Sequence, residues 1–175
     1  MQHRSKIILF LLLITQVLCA QDSIFDLARH GSVEDFKALS NGDTSILTQK
    51  DERGSTPLVL ACYYNNIDVA RYIIQNIDDI NETTKDGSPL MASAVKGYNT
   101  ISKLLIAAGA DVNLQDANQT TALHYAVMFK NYDLVLMLLE AGANPNHKNN
   151  VGQSPMDFAV MQNDKRMNTL FKINQ

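Results

Sequence analysis

Residues 119–146 read QTTALHYAVMFKNYDLVLMLLEAGANPN. A hydroxyl residue, Thr121, stands directly before an apolar run spaced as a helix face: Leu123, Ala126 and Val127. A second run follows with Leu134, Met137 and Leu138 on one face, and Gly142 closes it. Short polar residues then turn the chain. The stretch predicts two short helices, neither able to bury its apolar side alone.

The same text recurs. GSTPLVLACYYNNIDVARYIIQNIDDIN starts at Gly54, GSPLMASAVKGYNTISKLLIAAGADVN at Gly87, and GQSPMDFAVMQNDKRMNTLFK at Gly152. Pro57, Pro89, Ala122 and Pro155 are spaced 32, 33 and 33 residues apart, and Asn81, Asn113 and Asn146 by 32 and 33. Thr56, Ser88, Thr121 and Ser154 each stand where a helix starts, so a side-chain oxygen can accept from an orphan backbone N–H. Pro at the first helical position loses no hydrogen bond there. A period near 33 with a T-P-L-H-x-A-like start resembles the ankyrin repeat family. Two motifs keep register, and the resemblance covers roughly residues 22–175, nearly all of the chain beyond its first twenty residues.

That resemblance implies an all-α ankyrin-repeat solenoid of about five helix-turn-helix repeats with short hairpin-like turns. The units are 21–50 as N-terminal cap, 51–84, 85–117 and 118–150 inside, and 151–175 as C-terminal cap. Terminal units of such stacks present a polar outer face. The first unit, SIFDLARHGSVEDFKALSNG, lacks the repeat's start, and the last has a charged, less apolar second helix, so both fit such caps and a monomer is expected. Departures are local. Ile77 stands where Gly109 and Gly142 stand, and a β-branched residue resists the left-handed conformation, so the helix end at QNIDD needs another geometry. Lys130 replaces the inter-helix glycine found at Gly97, where Asn65 and Asn163 are tolerable substitutes.

Residues 1–20 do not belong to the repeat. A basic start, MQHRSK, leads into the apolar run IILFLLLI and then CA before the polar QDS. That is the layout of a secretory signal peptide, with cleavage expected after Ala20. The run is too short to span a bilayer. Lipidation of Cys19 would call for a small residue where Leu18 stands. The signal end resembles those of exported bacterial proteins, which implies the periplasm, or secretion. No membrane insertion is expected after cleavage.

Apolar residues make up 46% of the chain and charged ones 19%, which excludes wholesale disorder. The net charge is −3. Loss of residues 1–20 removes two basic residues and no acidic one, leaving −5. Beyond those residues the chain is mildly acidic and its nearest approach to a basic stretch is the single pair Lys165-Arg166, which argues against nucleic acid as a partner. Cys62 is the one cysteine beyond the leader, so no internal disulfide is expected, and its spacing places it inside.

Catalytic and metal-binding readings fail on spacing. His124 is not repeated: Val59, Met91 and Asp157 hold the equivalent positions. The family resemblance implies a histidine that bridges adjacent repeats. His30 and His147 lack neighbours at metal spacing, and Asp78-Asp79 reads as a turn. No nucleophile elbow, phosphate loop or zincin motif occurs. No enzyme activity, metal or cofactor is expected. Two N-x-T sequons, at Asn81 and Asn118, would matter only in a eukaryotic secretory pathway.

The resemblance implies binding of another protein on a concave face built from first helices and finger-like turns. The variable positions fall at Glu52, Arg53 and Ser55; Lys85 and Asp86; Ala117, Asn118 and Thr120; Asn150, Val151 and Gln153. On the helices they are Tyr63 and Tyr64, Val95 and Lys96, Met128 and Phe129, and Met161 and Gln162. Aromatic and thioether side chains there suit a binding stripe, although half of each pair could pack against the next unit. The expected role is an adaptor or protective factor for another exported protein, for instance in oxidative-stress defence. The rivals are an inhibitor or immunity protein that occludes a toxin or hydrolase, and a secreted effector.

Overall fold

The computed structural model describes residues 23–173. The leader reading, with its cleavage site and Cys19, lies outside the described residues. Among the described residues, ten α-helices and one 3-10 turn make up the regular structure. They pair as α1 (Ile24–His30) with α2 (Val33–Ser40), α3 (Pro57–Tyr64) with α4 (Ile67–Ile74), and α5 (Pro89–Lys96) with α6 (Asn99–Ala107). Then come α7 (Ala122–Met128) with α8 (Tyr132–Glu140) and α9 (Pro155–Met161) with α10 (Lys165–Ile173). The 3-10 turn, Thr44–Thr48, joins the first pair to the second. First helices stack on first helices and second on second, each mainly against sequential neighbours. The chain is an all-helical solenoid.

Each helix starts for a readable reason. Thr56, Ser88 and Ser154 are N-caps whose hydroxyls accept from Val59 N, Met91 N and Asp157 N at 3.3, 3.3 and 3.1 Å. Proline follows each of them at the first turn. Most second helices are capped by side chains too: Asn66 accepts from Val69 N, Asn131 from Leu134 N and Asp164 from Met167 N. The Asn66 amide also donates to the carbonyls of Leu27 and Gly31 in the preceding unit at 3.2 and 2.9 Å. One residue thus starts a helix and fixes the unit before it.

Between the helices of a pair the backbone must reverse. Asn65, Gly97, Lys130 and Asn163 all take positive φ, at 62°, 72°, 54° and 50°. Lys130 adopts the left-handed conformation in spite of its Cβ: its N–H and that of Asn131 donate to Val127 O and Ala126 O, and the Asn131 amide is tied to Asn99 of the preceding unit at 2.7 Å. The departure at Ile77 is resolved as the sequence demands. Gly109 and Gly142 sit at φ 89°, with Ala110 N and Ala143 N donating back to Leu105 O and Leu138 O. In α4 the helix ends earlier, at Gln75 in right-handed conformation. The Asn76 side-chain amide supplies a donor, reaching Tyr72 O at 2.7 Å. Ile77 is released to pack against the core.

The core is one continuous cluster running through all units. Ile73, Leu105 and Leu138 at the second helices, and Ala61, Ala94 and Ala126 at the first, are fully buried. Alanine there lets first helices approach closely. Cys62 is buried and free, and burial pushes its thiol far up, so it packs as a small hydrophobe.

The C-terminal unit corrects the expectation of polar caps at both ends. On α10, Lys165, Arg166 and Thr169 are exposed, as expected. On α9, Val160 is 64% exposed, whereas Cys62, Ala94 and Val127, at the same place in earlier units, are 0% exposed. Those three are covered by the next helix pair; among the described residues, none covers Val160. Asp157, by contrast, is polar and exposed where Met91 and His124 are buried.

Replacing Lys130 with glycine removes the cost of a Cβ in the left-handed region. It gives up a long, 3.8 Å ion pair from the half-exposed Lys130 ammonium to Asp164, which contributes little. Lys130→Gly is expected to stabilise the chain by about 0.5–1 kcal/mol, read as a higher urea midpoint at unchanged slope.

Candidate functional site

The exposed edges of α1, α3 and α5 and the tips of the turns before α3, α5 and α7 enclose an open groove of about 1290 Å³. Tyr63, Tyr64 and Val95 form part of its floor, with Glu52, Arg53, Lys85, Asp86 and Asn118 on the turn side. Tyr63 and Tyr64 are the last residues of α3, and the left-handed Asn65 ends that helix directly after them. They are 40% and 42% exposed.

Ring contacts order this floor. The His30 ring meets Tyr64 edge-on at 5.0 Å, Tyr64 meets Tyr63 at 5.3 Å, and the Lys96 ammonium stands 4.8 Å from the Tyr63 ring centre. Each contact limits the rotamers open to the tyrosines, so less side-chain entropy remains to be lost on binding. Towards the C-terminal units the exposed apolar residues continue with Met128 (42%), Phe129 (56%), Met161 (66%) and Val151 (74%). Val95 is half-buried between the two groups.

The turn tips have a device that the repeat alignment passed over. Asp51 Oδ1 accepts from Arg53 N and Ser55 N, both at 2.9 Å. Asp116 Oδ1 does the same for Asn118 N and Thr120 N, and Asn149 Oδ1 for Val151 N and Gln153 N. In the remaining turn the Thr84 hydroxyl accepts from Asp86 N at 3.1 Å, and Thr84 pairs with Gly87 through the backbone. The residue type varies along 51, 84, 116 and 149, but each fixes the tip that follows it. The tips are therefore set before any ligand arrives.

These bonds redistribute the predicted surface. Glu52, Arg53, Lys85, Asp86, Ala117, Asn118, Asn150 and Val151 are exposed. Ser55 and Thr120 are not: they retain 8% and 7% exposure, because the turn that uses their N–H groups rotates their side chains inward. Asn150 clamps two tips together, its N–H donating to Asn118 O at 2.9 Å and its amide to Ala117 O at 3.1 Å. Gln153 and Gln162 are half-buried; the Gln162 amide donates to Val127 O at 3.2 Å, which makes it a link between repeats. Conversely, Phe25, Arg29, His30 and Tyr125 line the groove and were not legible as surface. Arg29 bridges Asp26 and Asp51 at 3.1 and 3.0 Å. Tyr125 donates to Asp116 at 2.6 Å, and burial together with that bond pushes its phenol up.

His124 is fully buried. Its Nδ1 accepts from Thr121 N–H at 3.1 Å, so the proton sits on Nε2, which donates to Gln153 O of the next unit at 3.1 Å. It bridges repeats and presents no free nitrogen to a substrate or metal. Asp157, at the same place in the last unit, makes a reciprocal cap with Ser154, and those bonds hold its carboxyl below the usual range. Among the described residues no group of three or more His, Cys, Asp or Glu could hold a metal ion, and no helix is long and apolar enough to cross a membrane.

Burial holds the His124 imidazole below its ordinary value, with His147 adding to the effect. The folded state therefore binds the proton less readily than the unfolded chain. The contribution of the neutral ring is intact above about pH 6.5 and is lost as pH falls below it. His124→Gln is expected to be less stable at pH 7.5, and the gap to wild type should narrow by pH 5. Urea titrations at both pH values check this; a gap that widens on acidification would contradict the neutral-bridge geometry.

Comparison with known proteins agrees with the architecture. Residues 24–116, 73–149 and 90–173 each match the family described as Ankyrin repeats (3 copies). The chain is 35% identical, over 123 residues, to an ankyrin repeat-containing protein of Treponema pallidum (strain Nichols), covering 69% of this chain and 41% of that one. It is 35% identical over 102 residues to ankyrin repeat protein FPV014 of Fowlpox virus (strain NVSL), covering 57% and 23%. It is 39% identical over 110 residues to Alpha-latrocrustotoxin-Lt1a of Latrodectus tredecimguttatus, covering 62% and 8%. The chain thus spans less than half the length of these relatives. Its stacked helix pairs, their period and the family match make it a member of the ankyrin repeat family, a protein–protein interaction module.

Proposed function

We propose that this chain is an exported, non-enzymatic binder that captures one partner protein in its concave face as an adaptor or protective factor. The observation that carries the reading is the preset groove. Its tyrosines are held by ring contacts, and its tips are fixed by side-chain-to-backbone bonds. A rigid, partly apolar floor with polar tips is the arrangement that yields affinity at low entropic cost. Export is supported by the layout of residues 1–20 and by the single cysteine in the remainder. The periplasm is the compartment this favours. The non-enzymatic reading is supported by His124, whose two nitrogens are both engaged in the scaffold.

The test is affinity capture from an envelope extract with the chain from Gln21 as bait. The control carries Tyr63→Ala, Tyr64→Ala and Phe129→Ala. All three side chains are exposed, so the control is expected to unfold cooperatively with a nearly unchanged midpoint. Anchors of this type contribute about 2 kcal/mol each when central, so partner affinity should fall by at least about 30-fold. A single partner lost from the control, with its own activity intact, supports an adaptor. Blocked activity at nanomolar affinity makes the chain an inhibitor instead. Equal capture by both baits would remove the groove from consideration.

A further inference from the structure

The six methionines among the described residues fall into two groups. Met91 and Met167 are buried, at 1% and 0% exposure, and Met137 and Met156 are half-buried. Met128 and Met161 are 42% and 66% exposed. They lie one repeat apart, at the place Tyr63 and Val95 hold in earlier units, so two thioethers continue the concave column into the fourth and fifth units. Phe129 and Val160 are exposed beside them in sequence. Gln153 Nε2 points at Met161 Sδ at 3.3 Å. A thioether is a weak acceptor, whereas a sulfoxide oxygen is a strong one, and a donor is already in place.

We propose that Met128 and Met161 form a reversible oxidation site, which turns the C-terminal half of the concave face from apolar to polar. The oxidant class is a peroxide. A sulfur lone pair attacks one peroxide oxygen; the O–O bond breaks, the S–O bond forms, and the departing hydroxide takes a proton and leaves as water. Sulfur loses two electrons and the peroxide gains them. Repair is the work of a methionine sulfoxide reductase with a dithiol: the oxygen leaves as water and the dithiol closes to a disulfide. Tyr63 and Tyr64 remain unchanged, so the N-terminal half of the face keeps its character in both states. The consequence for partner capture rests on the binding role proposed above; the site itself does not.

The experiment exposes the folded chain from Gln21 to limiting hydrogen peroxide and follows each methionine by peptide mass spectrometry. Retention on a hydrophobic-interaction column is measured on the same samples, beside a Met128→Leu/Met161→Leu variant. Met128 and Met161 are expected to gain oxygen at least about tenfold faster than Met91 and Met167. Retention should shorten in wild type, stay constant in the leucine pair, and return after reductase treatment, with the melting temperature unchanged throughout. Oxidation of all four methionines at one rate would overturn the site. Full conversion of Met128 and Met161 without a change in retention would overturn the switch. Absence of capture by the untreated chain would count against the binding role alone, because the oxidation map and the column need no partner.

Discussion

No helix pair in this chain can cover its own apolar side, and that single constraint organises the molecule. The inner pairs carry small residues such as Ala61, Ala94 and Ala126 on the first helix and leucine or isoleucine on the second. Only the next pair removes both from water. The polar bonds between units follow the same geometry. Asn66 reaches back to Leu27 O and Gly31 O, Asn99 and Asn131 bond reciprocally at 3.2 and 2.7 Å, and Asn113 Oδ1 accepts from Asn144 N at 2.8 Å. These bonds add little net energy beside the burial. They fix how far one unit slides or rotates on the next, and so give the groove its shape.

Much of the fold was legible because its signals are local. Hydroxyl caps, first-turn prolines and Gly109 and Gly142 act through their own backbone. Even the irregular end at Ile77 followed from the cost of a β-branched residue in the left-handed region. The bridging role of His124 came from the family resemblance, and its hydrogen bonds agree. What escaped depends on partners distant in sequence. The exposure of Val160 depends on what packs against its flank, not on its own helix. The inward turn of Ser55 and Thr120 depends on which oxygen takes their N–H, and Asp51, Thr84, Asp116 and Asn149 hide one role behind three residue types. Phe25, Arg29 and His30 joined the groove because α1 lies alongside α3.

The division of labour along the face is chemical as well as geometric. The first three units present phenols, a lysine over a ring and charged tips. The last two present thioethers, Phe129 and the exposed Val151. The first half is ordered by its own ring contacts. The second has adaptable thioethers, with the Gln153 amide donating to Met161 Sδ at 3.3 Å. A partner that spans both halves meets a firm half and a yielding one. Phenols with polar handles suit directional contacts, while thioethers fill whatever shape remains.

The clamp at Asn150 has a bearing on how this face can change. Its backbone N–H and its side-chain amide both hold the tip of the preceding turn, so a substitution there loosens two tips at once. One at the neighbouring Val151, which is 74% exposed, alters a single side chain. Positions side by side on the same surface are therefore unequal: some can vary freely, and others carry the scaffold with them.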